Sequence, residues 1–368
     1  MQFARPPVRS ATPADVPVAV AFIIIAVAIA AAATTAAAQV PTGPTTPART
    51  RQLLSGLADD SMQGRATGTP GAARAARMIA GTMRAIGLSP AGDSGFFQRV
   101  AVSRDSVAGR GGRGRGGWRP VVRASFADLD TVPADRRVPA VNVVGMIKGA
   151  DPALAADYVL IDAHYDHLGV RGPGVNGDSI YNGADDDASG TVAVLEIARQ
   201  FAQGPKPKRT VVFMATIGEE TGLLGTRWYI AHPVIPLDRM AANLEIEMIG
   251  RPDSLAGGPG KAWLTGYERS TMGDALAAAG IPIVPDKRPD QNFFQRSDNI
   301  AFARAGIPAH TLSTFNLHTD YHQPSDDISH VDFDHMAAVI NAATKAARLL
   351  SDGPKPEWKP EWKPGGKP

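Results

Sequence analysis

The sequence predicts an α/β protein with a central, largely parallel sheet. Three runs rich in apolar and β-branched residues, at 140–147, 158–163 and 209–216, have the composition of buried central strands. Between and after them, apolar residues recur at helical spacing over residues 190–201 and 334–350. Because strand-like and helix-like segments alternate, a sheet covered by helices is favoured.

The region before the first strand is predicted to be helical. A first helix is expected over residues 45–57, and a second over residues 71–87, where apolar side chains recur every three or four positions and Gly87 provides a stop. Shorter helices are expected over residues 222–230 and 272–279.

The N-terminal segment resembles a secretory signal peptide. Two arginines, Arg5 and Arg9, precede an almost wholly apolar stretch over residues 16–38, which ends in three alanines. We expect cleavage after about Ala38 and therefore an exported protein, periplasmic or secreted. The stretch is also long enough to act as an uncleaved membrane anchor, the alternative under which the protein would contact a membrane.

The remaining residues are expected to form a single domain over residues 39–350. A Gly/Arg-rich insert at 108–117 is interpreted as a solvated loop rather than a nucleic-acid-binding segment, and the Pro-rich repeat over residues 351–368 as a disordered tail. The formal net charge of +2 and the lack of a concentrated basic face argue against nucleic-acid binding. The chain contains no cysteine, which excludes disulfides, thiolate metal sites and a cysteine nucleophile.

The chemistry lies in short motifs of carboxylates and imidazoles at residues 163–167, 183–190, 218–220, 245–250 and 320–324. Together they offer enough oxygen and nitrogen ligands for two divalent cations, with one carboxylate left over as a base. In open α/β sheets ligands bind at the carboxyl ends of strands, and His164 and Glu219 directly follow strand-like runs. These side chains are therefore expected to meet at one edge of the sheet.

Ordinary structural roles do not account for all of these carboxylates. Capping the helix after residue 187 would use one or two of three adjacent aspartates, so Asp185 is expected to bridge two cations. Glu219 and Glu220 are adjacent and point apart, so that one can bind metal while the other faces a bound water. Glu245 and Glu247 share one face of an apolar strand, where at least one needs a cationic partner.

The last imidazole is expected from His322 in a turn-rich loop, with His310 and His318 as competitors. Two other hydrolase classes are excluded by their missing motifs. Ser189 does not lie in a Gly-x-Ser-x-Gly elbow, and no His-Glu-x-x-His helix is present.

With these motifs in this order, residues 53–350 resemble the co-catalytic di-zinc aminopeptidase family. The family includes bacterial leucyl aminopeptidases and glutamate carboxypeptidase II-like metallopeptidases, with glutaminyl cyclases as distant relatives. Residues 62–71 also look like the family's leader segment. The resemblance implies a three-layer sandwich, in which helices flank a central mixed, mostly parallel β-sheet of about eight strands.

The resemblance also implies two Zn²⁺ ions per chain and peptide substrates. It assigns Glu219 as the general base and Asp166 as the residue that orients the first histidine. The Asp185–Asp186 bond takes the family's cis peptide position. The implied metal ligands are His164, Asp185, Glu220, Glu247 and His322.

One departure concerns the group that polarises the scissile carbonyl. Some relatives carry a tyrosine three residues before a Ser-Asp pair, whereas this chain has Phe294 before Ser297. Tyr321 and Arg296 are the candidates to replace it. Residues 100–140 are too few for the protease-associated domain found in some relatives, so none is expected.

The favoured function is an exported, zinc-dependent exopeptidase acting as an aminopeptidase, with a water activated by two zinc ions. A carboxypeptidase is an alternative and would need a cationic anchor such as Arg296 or Arg288. A glutaminyl cyclase, with one zinc, is a further alternative within the fold. A non-enzymatic calcium module is disfavoured because calcium prefers oxygen ligands over imidazole.

Overall fold

The computed structural model describes residues 42–107, 117–175 and 177–363, together with Met1 and Ala4. The chain divides into two units, Met1–Gln39 and Val40–Pro368. The predicted signal segment therefore lies outside the described residues except for Met1 and Ala4, and the Gly/Arg-rich insert lies outside them except for Gly117. Within the described part of the chain, no helix is both long and apolar enough to cross a membrane.

The strands, numbered in chain order, are β1 (Ser89–Pro90), β2 (Phe97–Arg99), β3 (Val102–Val107), β4 (Gly117–Val122), β5 (Arg137–Val138), β6 (Val141–Ile147), β7 (Tyr158–His164), β8 (Gly169–Val175), β9 (Asp178–Tyr181), β10 (Thr210–Thr216), β11 (Met240–Glu247), β12 (Ala262–Leu264), β13 (Ile283–Pro285) and β14 (Ala309–Ser313). A small sheet has the order β4-β3-β5, and β8 pairs with β9 as a hairpin.

The central sheet has the order β1-β6-β10-β7-β11-β14-β12-β13, with β2 also paired to β6. Its four middle strands, β10, β7, β11 and β14, run parallel, whereas β6 and β12 pair antiparallel to this group. Every residue of β7 and β10 is buried, as expected for strands covered on both faces. The predicted mixed, mostly parallel sheet is confirmed, and its predicted strands correspond to β6, β7 and β10.

The helices are α1 (Pro47–Leu57), α2 (Pro70–Ile86), α3 (Phe126–Asp130), α4 (Gly190–Gln203), α5 (Leu224–Ala231), α6 (Thr271–Ala278), α7 (Asn299–Arg304) and α8 (Phe333–Asp352). Helices α2, α4 and α8 pack on one face of the sheet, and α7 packs on the other with α5 beside it. Successive side chains of β7 point to opposite faces of the sheet. Val159 and Ile161 belong to the hydrophobic cluster on one face, and Tyr158 and Leu160 belong to the cluster on the other. The three-layer sandwich is confirmed.

Helix α2 shows why the helical segments could be read from the sequence. The Thr69 side chain accepts a hydrogen bond from the backbone N–H of Ala72, and Pro70 occupies the first turn, where its missing N–H costs nothing. Gly87 ends the helix in the left-handed region at φ 90°. The predicted helix over residues 71–87 is therefore displaced by a single residue.

The expectation of a disordered C-terminal tail is wrong for residues 351–363. Helix α8 continues through Asp352, and the chain then packs back on the domain. The backbone N–H of Thr271 donates to the carbonyl of Glu357 at 2.9 Å, and the indole Nε1–H of Trp358 donates to the carbonyl of Gly306 at 3.0 Å. The extended backbone that proline favours lets this tryptophan reach the surface of α7. Residues 364–368 lie outside the described residues.

Candidate metal centre

The carboxyl ends of the parallel strands bring the predicted motifs together. His164 is the last residue of β7 and Glu247 the last of β11, while Glu219 and Glu220 follow β10. Because β7, β10 and β11 run parallel, these side chains share one edge of the sheet. The loop after β14 brings His322 to the same place, as its contacts below show.

Three aspartates lie in an irregular turn over Ala184–Ser189, directly before α4. The cis peptide bond joins Asp186 to Asp187. The expectation of a cis bond between Asp185 and Asp186 is therefore wrong by one residue.

The first group of potential metal ligands surrounds the Nε2 atom of His164. This atom lies 3.2 Å from Oδ1 of Asp186 and 4.0 Å from Oε1 of Glu247. Oε2 of Glu219 also lies 4.0 Å away. Ligand atoms of His164, Asp186 and Glu247 lie within 4.8 Å of one another, close enough to hold one cation.

The second group surrounds the other oxygen of Asp186. Nε2 of His322 lies 3.1 Å from Asp186 Oδ2 and 3.3 Å from Glu220 Oε2. Nδ1 of His167 lies 2.7 Å from Glu220 Oε1 and 3.8 Å from Asp186 Oδ2. Asp186 thus presents one oxygen to each group, which is the geometry of a bridging carboxylate.

Asp185 does not occupy the bridging position. Its Oδ1 accepts a hydrogen bond from the backbone N–H of Gly250 at 2.6 Å, and its Oδ2 lies 3.1 Å from Nε2 of His318. Both oxygens therefore contact the loops that follow β11 and β14. Asp185 was expected to bridge two cations, but the next residue, Asp186, lies between the two ligand groups instead. The turn is rotated by one residue from the position that the sequence spacing suggested.

The donor set fits a divalent cation that accepts nitrogen and oxygen ligands, such as zinc. Among the described residues, Nε2 of His164, both ring nitrogens of His167 and Oε1 of Glu220 are buried without a hydrogen-bond partner. His167 Nδ1 and Glu220 Oε1 lie 2.7 Å apart, but their relative orientation does not allow a hydrogen bond. Leaving these buried atoms unpaired is costly, and a shared cation would remove the cost.

Burial and neighbouring charge set the protonation of the carboxylates. Burial, reinforced by the negative charges of Glu247 and Asp298, raises the pKa of Glu219 well above its usual value, against the pull of His164. For Asp186, burial acts to raise the pKa, but the imidazoles of His164 and His322, at 3.2 and 3.1 Å, outweigh it and hold the pKa well below its usual value. Glu219 is thus suited to take up a proton, and Asp186 to remain ionised.

Asp166 acts on the loop that carries Glu219. Its Oδ1 accepts hydrogen bonds from the backbone N–H groups of Gly218 and Glu219 at 2.8 and 3.2 Å, and its Oδ2 accepts one from Thr67 at 3.1 Å. Nδ1 of His164 lies closer to the backbone carbonyl of Asp166, at 3.1 Å, than to its carboxylate, at 3.8 Å. Asp166 therefore contacts the histidine through its backbone and the base loop through its side chain.

Tyr321 and Arg296, the candidates for polarising the scissile carbonyl, lie beside Glu247. Tyr321 stacks on His322 with ring centroids 3.9 Å apart, and the guanidinium of Arg296 lies 5.0 Å from the centre of the Phe293 ring. A cavity next to Glu247, here called the Glu247 cavity, has a mixed lining of aromatic, polar and charged groups: Trp263, Phe293, Phe315 and Tyr321, with Met248, Arg296, Thr265, Thr311 and Ser313.

Three alternative candidates from the sequence have other partners. His310 is buried between Ser270 Oγ and the carbonyl of Thr265, each 2.7 Å from a ring nitrogen. His318 contacts Asp185, as described above. Arg288 forms two hydrogen bonds, at 2.6 and 2.8 Å, to the carboxylate of Asp253, which leaves Arg296 as the cation beside the cavity.

Sequence reasoning missed His167, which lies three residues after the first histidine in the stretch 163–167. The signal was the second imidazole of that motif. Gly183 makes room for it, because a Cβ at this position, with φ 55°, would lie 2.5 Å from the His167 ring.

It also missed Arg65, whose side chain is fully buried. The guanidinium donates to four backbone carbonyls at 2.6–2.9 Å, those of Leu57, Tyr165, Asn182 and Gly183. It therefore ties the leader to the loops beside His164 and Asp186. The only sequence signal was its place in the leader-like stretch 62–71.

Sequence comparison finds relatives that share part of this chain. A "probable lipoprotein aminopeptidase LpqL" of Mycobacterium tuberculosis is 28% identical over 240 residues, which cover 55% of this chain and 43% of that protein. A "probable zinc metalloprotease" of Pyrenophora teres f. teres is 40% identical over 110 residues, covering 30% of this chain and 22% of that protein. The chain thus matches less than half the length of these relatives.

Structural comparison finds a similar fold in BSAP, described as a zinc aminopeptidase from Bacillus subtilis. The TM-score is 0.59 at 18% sequence identity, and the match covers 86% of this chain and 97% of that one. The sequence model of peptidase family M28 matches residues 142–347, more than half of the chain, a segment that holds every motif of the centre. The resemblance to the di-zinc aminopeptidases is therefore confirmed at the level of the family, and the chain belongs to peptidase family M28.

Proposed function

We propose that this protein is a zinc-dependent exopeptidase that acts as an aminopeptidase and uses two Zn²⁺ ions. The observation that carries the proposal is the position of Asp186, whose two oxygens face two separate groups of imidazole and carboxylate ligands. His164, Asp186 and Glu247 would hold one ion. Asp186, Glu220 and His322 would hold the other, with His167 near enough to contribute.

When bound, zinc ions supply Lewis acidity and lower the pKa of a water molecule towards neutrality. Glu219 is the general base in this proposal, because it borders the first group and burial raises the pKa of its carboxyl. Asp166 fixes the Glu219 backbone through two hydrogen bonds. The proton that Glu219 accepts would pass to the leaving amine. Tyr321 and Arg296 border the cavity where the scissile carbonyl would lie, and they are the donors available to polarise it.

An exopeptidase is supported by the restricted space beside Glu247. The Glu247 cavity has about 30 Å³ of free volume, room for a few water molecules, so a peptide chain cannot continue past the ligand groups on that side, and a terminal residue would enter only by displacing lining side chains. An aminopeptidase is favoured since the relatives LpqL and BSAP carry that activity in their names.

A carboxypeptidase is the second candidate, favoured by one observation. Arg296 borders the cavity and forms no ion pair within the part of the chain that the structure describes. A guanidinium in this place could anchor a terminal carboxylate.

Export is also part of the proposal and rests on the sequence pattern of residues 1–38. Expression of the full chain in a bacterial host, followed by mass spectrometry of the mature N-terminus, tests it. A new N-terminus near Gln39 in the exported fraction is expected. An intact Met1 in the cytosolic fraction would contradict cleavage and export together.

The enzymatic test uses protein lacking residues 1–38 and a panel of aminoacyl chromogenic substrates. Activity should disappear with a chelator, return with zinc, and fall by about 10²–10⁴-fold in Glu219→Gln. Glu268→Gln, which removes an exposed carboxylate elsewhere, should retain wild-type activity. Silence on every free-amino substrate would contradict the aminopeptidase. Release of C-terminal residues from N-blocked peptides would instead favour the carboxypeptidase.

A further inference from the structure

A groove beside the metal centre carries a cluster of arginines. It borders Glu220, whereas the Glu247 cavity borders the other ligand group. We call it the arginine groove and define it by Trp118, Arg119, Arg171 and Arg227 around Glu220. All three arginines are exposed, and the groove leaves about 790 Å³ of free volume, against about 30 Å³ in the cavity.

The groove is assembled from three separate elements. Trp118 and Arg119 lie on β4, the edge strand of the small sheet, while Arg171 lies on β8 and Arg227 on α5. Helix α5 packs against β4, which holds two of these walls together. Three positive charges from distant parts of the sequence therefore converge on one surface next to the centre.

These charges are not neutralised by the protein itself. Within the described residues, none of the three arginines forms an ion pair, although nearby arginines do: Arg123 lies 2.6 Å from Asp105, and Arg99 lies 3.0 Å from Asp93. Arg171 donates only to the backbone carbonyl of Leu168, at 3.1 Å. The groove thus keeps its positive charge available for an external anion.

Trp118 adds an apolar platform to the same surface. Its side chain is 55% exposed, unusual for a tryptophan, and the guanidinium of Arg136 lies 4.7 Å from the centre of its ring. An exposed aromatic ring flanked by cations suits an extended peptide that carries carboxylates, since the ring packs on the chain while the arginines meet the charges.

We propose that the arginine groove binds the part of a peptide substrate that follows the scissile bond, and that it selects acidic peptides. The proposal rests on the proposed exopeptidase function, with the terminal residue in the Glu247 cavity and the rest of the chain in the groove. Exposed ion pairs contribute modestly, a few-fold each, so three together are expected to give a preference of about tenfold for glutamate over lysine.

The test compares two peptides of equal length, Leu-Ala-Glu-Glu-amide and Leu-Ala-Lys-Lys-amide. The readout is the ratio of their kcat/KM values, which is independent of the concentration of active enzyme. The wild-type protein should prefer the glutamate peptide about tenfold at low salt, and the ratio should approach one at about 0.5 M NaCl because exposed charges are screened. A ratio of one or below at low salt would overturn the proposal.

Substitutions in the arginine groove test whether it causes the preference for the glutamate peptide. The triple substitution Arg119→Gln, Arg171→Gln and Arg227→Gln should bring the ratio towards one, and Arg227→Glu alone should lower it. Arg304→Gln removes an exposed positive charge on α7, away from the groove, and should keep the wild-type ratio. If the triple variant keeps the wild-type ratio, the groove does not select the peptide.

A binding assay separates failure of the inference from failure of the proposed function. If neither peptide is cleaved, and aminoacyl chromogenic substrates are not cleaved either, the proposed function fails. Binding of fluorescently labelled peptides to Glu219→Gln protein, measured by anisotropy, still tests the groove. Tighter binding of the glutamate peptide, lost in the triple variant, supports the proposal. Equal binding of both peptides, or displacement of both by single-stranded RNA, would overturn it.

Discussion

At the scale of single residues, three adjacent aspartates have three different sets of contacts. Asp185 binds the Gly250 backbone, Asp186 faces both ligand groups, and Asp187 accepts hydrogen bonds from the backbone N–H groups of Met248 and Gly190 at 3.0 Å. The sequence predicted that a run of carboxylates would serve a metal site, because capping alone could not explain it.

The sequence could not predict which of the three aspartates bridges. The turn is held from outside by Asp326, whose carboxylate accepts the N–H groups of Asp185 and Asp186 at 3.0–3.2 Å. Asp326 is 140 residues away from Asp186 in the sequence, and no local pattern encodes the contact. The rotation of the turn, and therefore the identity of the bridging residue, is decided by tertiary structure.

This division of roles predicts opposite effects of two neighbouring substitutions on zinc content. Asp186→Asn should lose both ions, because an amide cannot supply two anionic oxygens to two cations. Asp185→Asn should keep both, at some cost in stability through the Gly250 hydrogen bond. Zinc per chain, measured by elemental analysis after dialysis, checks this. Loss of both ions in Asp185→Asn, with retention in Asp186→Asn, would restore the bridging role to Asp185.

His310 provides a second residue-level prediction, about pH. Burial lowers the pKa of its ring to about 4, and a hydrogen bond to the Thr265 carbonyl offsets this only in part. In the unfolded chain its pKa is about 6.5. Above that pH the ring is neutral in both states. As the pH falls from about 6.5 to 4, only the unfolded chain takes up the proton, so stability declines by about 3 kcal/mol.

Urea unfolding of wild type and His310→Gln between these pH values measures the effect. The variant should be less stable near neutral pH, since it loses buried packing, but its stability should fall less steeply with acidification. Other groups titrate in both proteins, so the difference between the two curves is the readout. Parallel curves would show that His310 does not contribute to the pH dependence.

At the scale of elements, long and strongly patterned segments were predictable and short ones were not. The apolar runs of β7 and β10 predicted central strands because burial on both faces leaves no polar alternation. Strands such as β12 and β13, three residues each, are too short to show a period, and only pairing with distant segments makes them strands. The C-terminal segment was mistaken for a disordered tail because composition does not reveal the site where Trp358 packs.

The short 3₁₀ helix Asp60–Arg65, which ends at the buried Arg65, leads to a prediction about stability. Arg65→Lys should destabilise the protein by about 3 kcal/mol, since lysine cannot reach all four carbonyls and places a compact, strongly hydrated charge in a buried site. Arg77→Lys, on the exposed face of α2, should be neutral. Denaturant unfolding gives both values. Equal stability of the two variants would show that the guanidinium does not tie these loops together.

At the scale of the whole molecule, the metal centre concentrates several buried, negatively charged side chains in one place. Asp186, Glu219, Glu220 and Glu247 converge at one edge of the sheet, above Glu245, which is fully buried in β11. Like charges in a low-dielectric site repel, so the metal-free fold carries a penalty that bound cations remove. Folding and metal binding are therefore expected to be coupled.

This coupling predicts how zinc shifts thermal stability. At zinc concentrations about 1,000-fold above the dissociation constant, each bound ion adds about 4 kcal/mol, so that two ions together raise Tm by about 12 °C in a domain of this size. Zinc should shift the melting of Asp186→Asn far less than that of wild type, because this variant lacks the carboxylate that faces both ligand groups. Calcium should stabilise the wild-type protein less than zinc, since imidazoles contribute to both ligand groups. Scanning calorimetry with chelator, zinc and calcium measures all of these shifts. Equal stabilisation by calcium and zinc would mean that carboxylates alone hold the ions, and the centre would then be a structural calcium site rather than a zinc site.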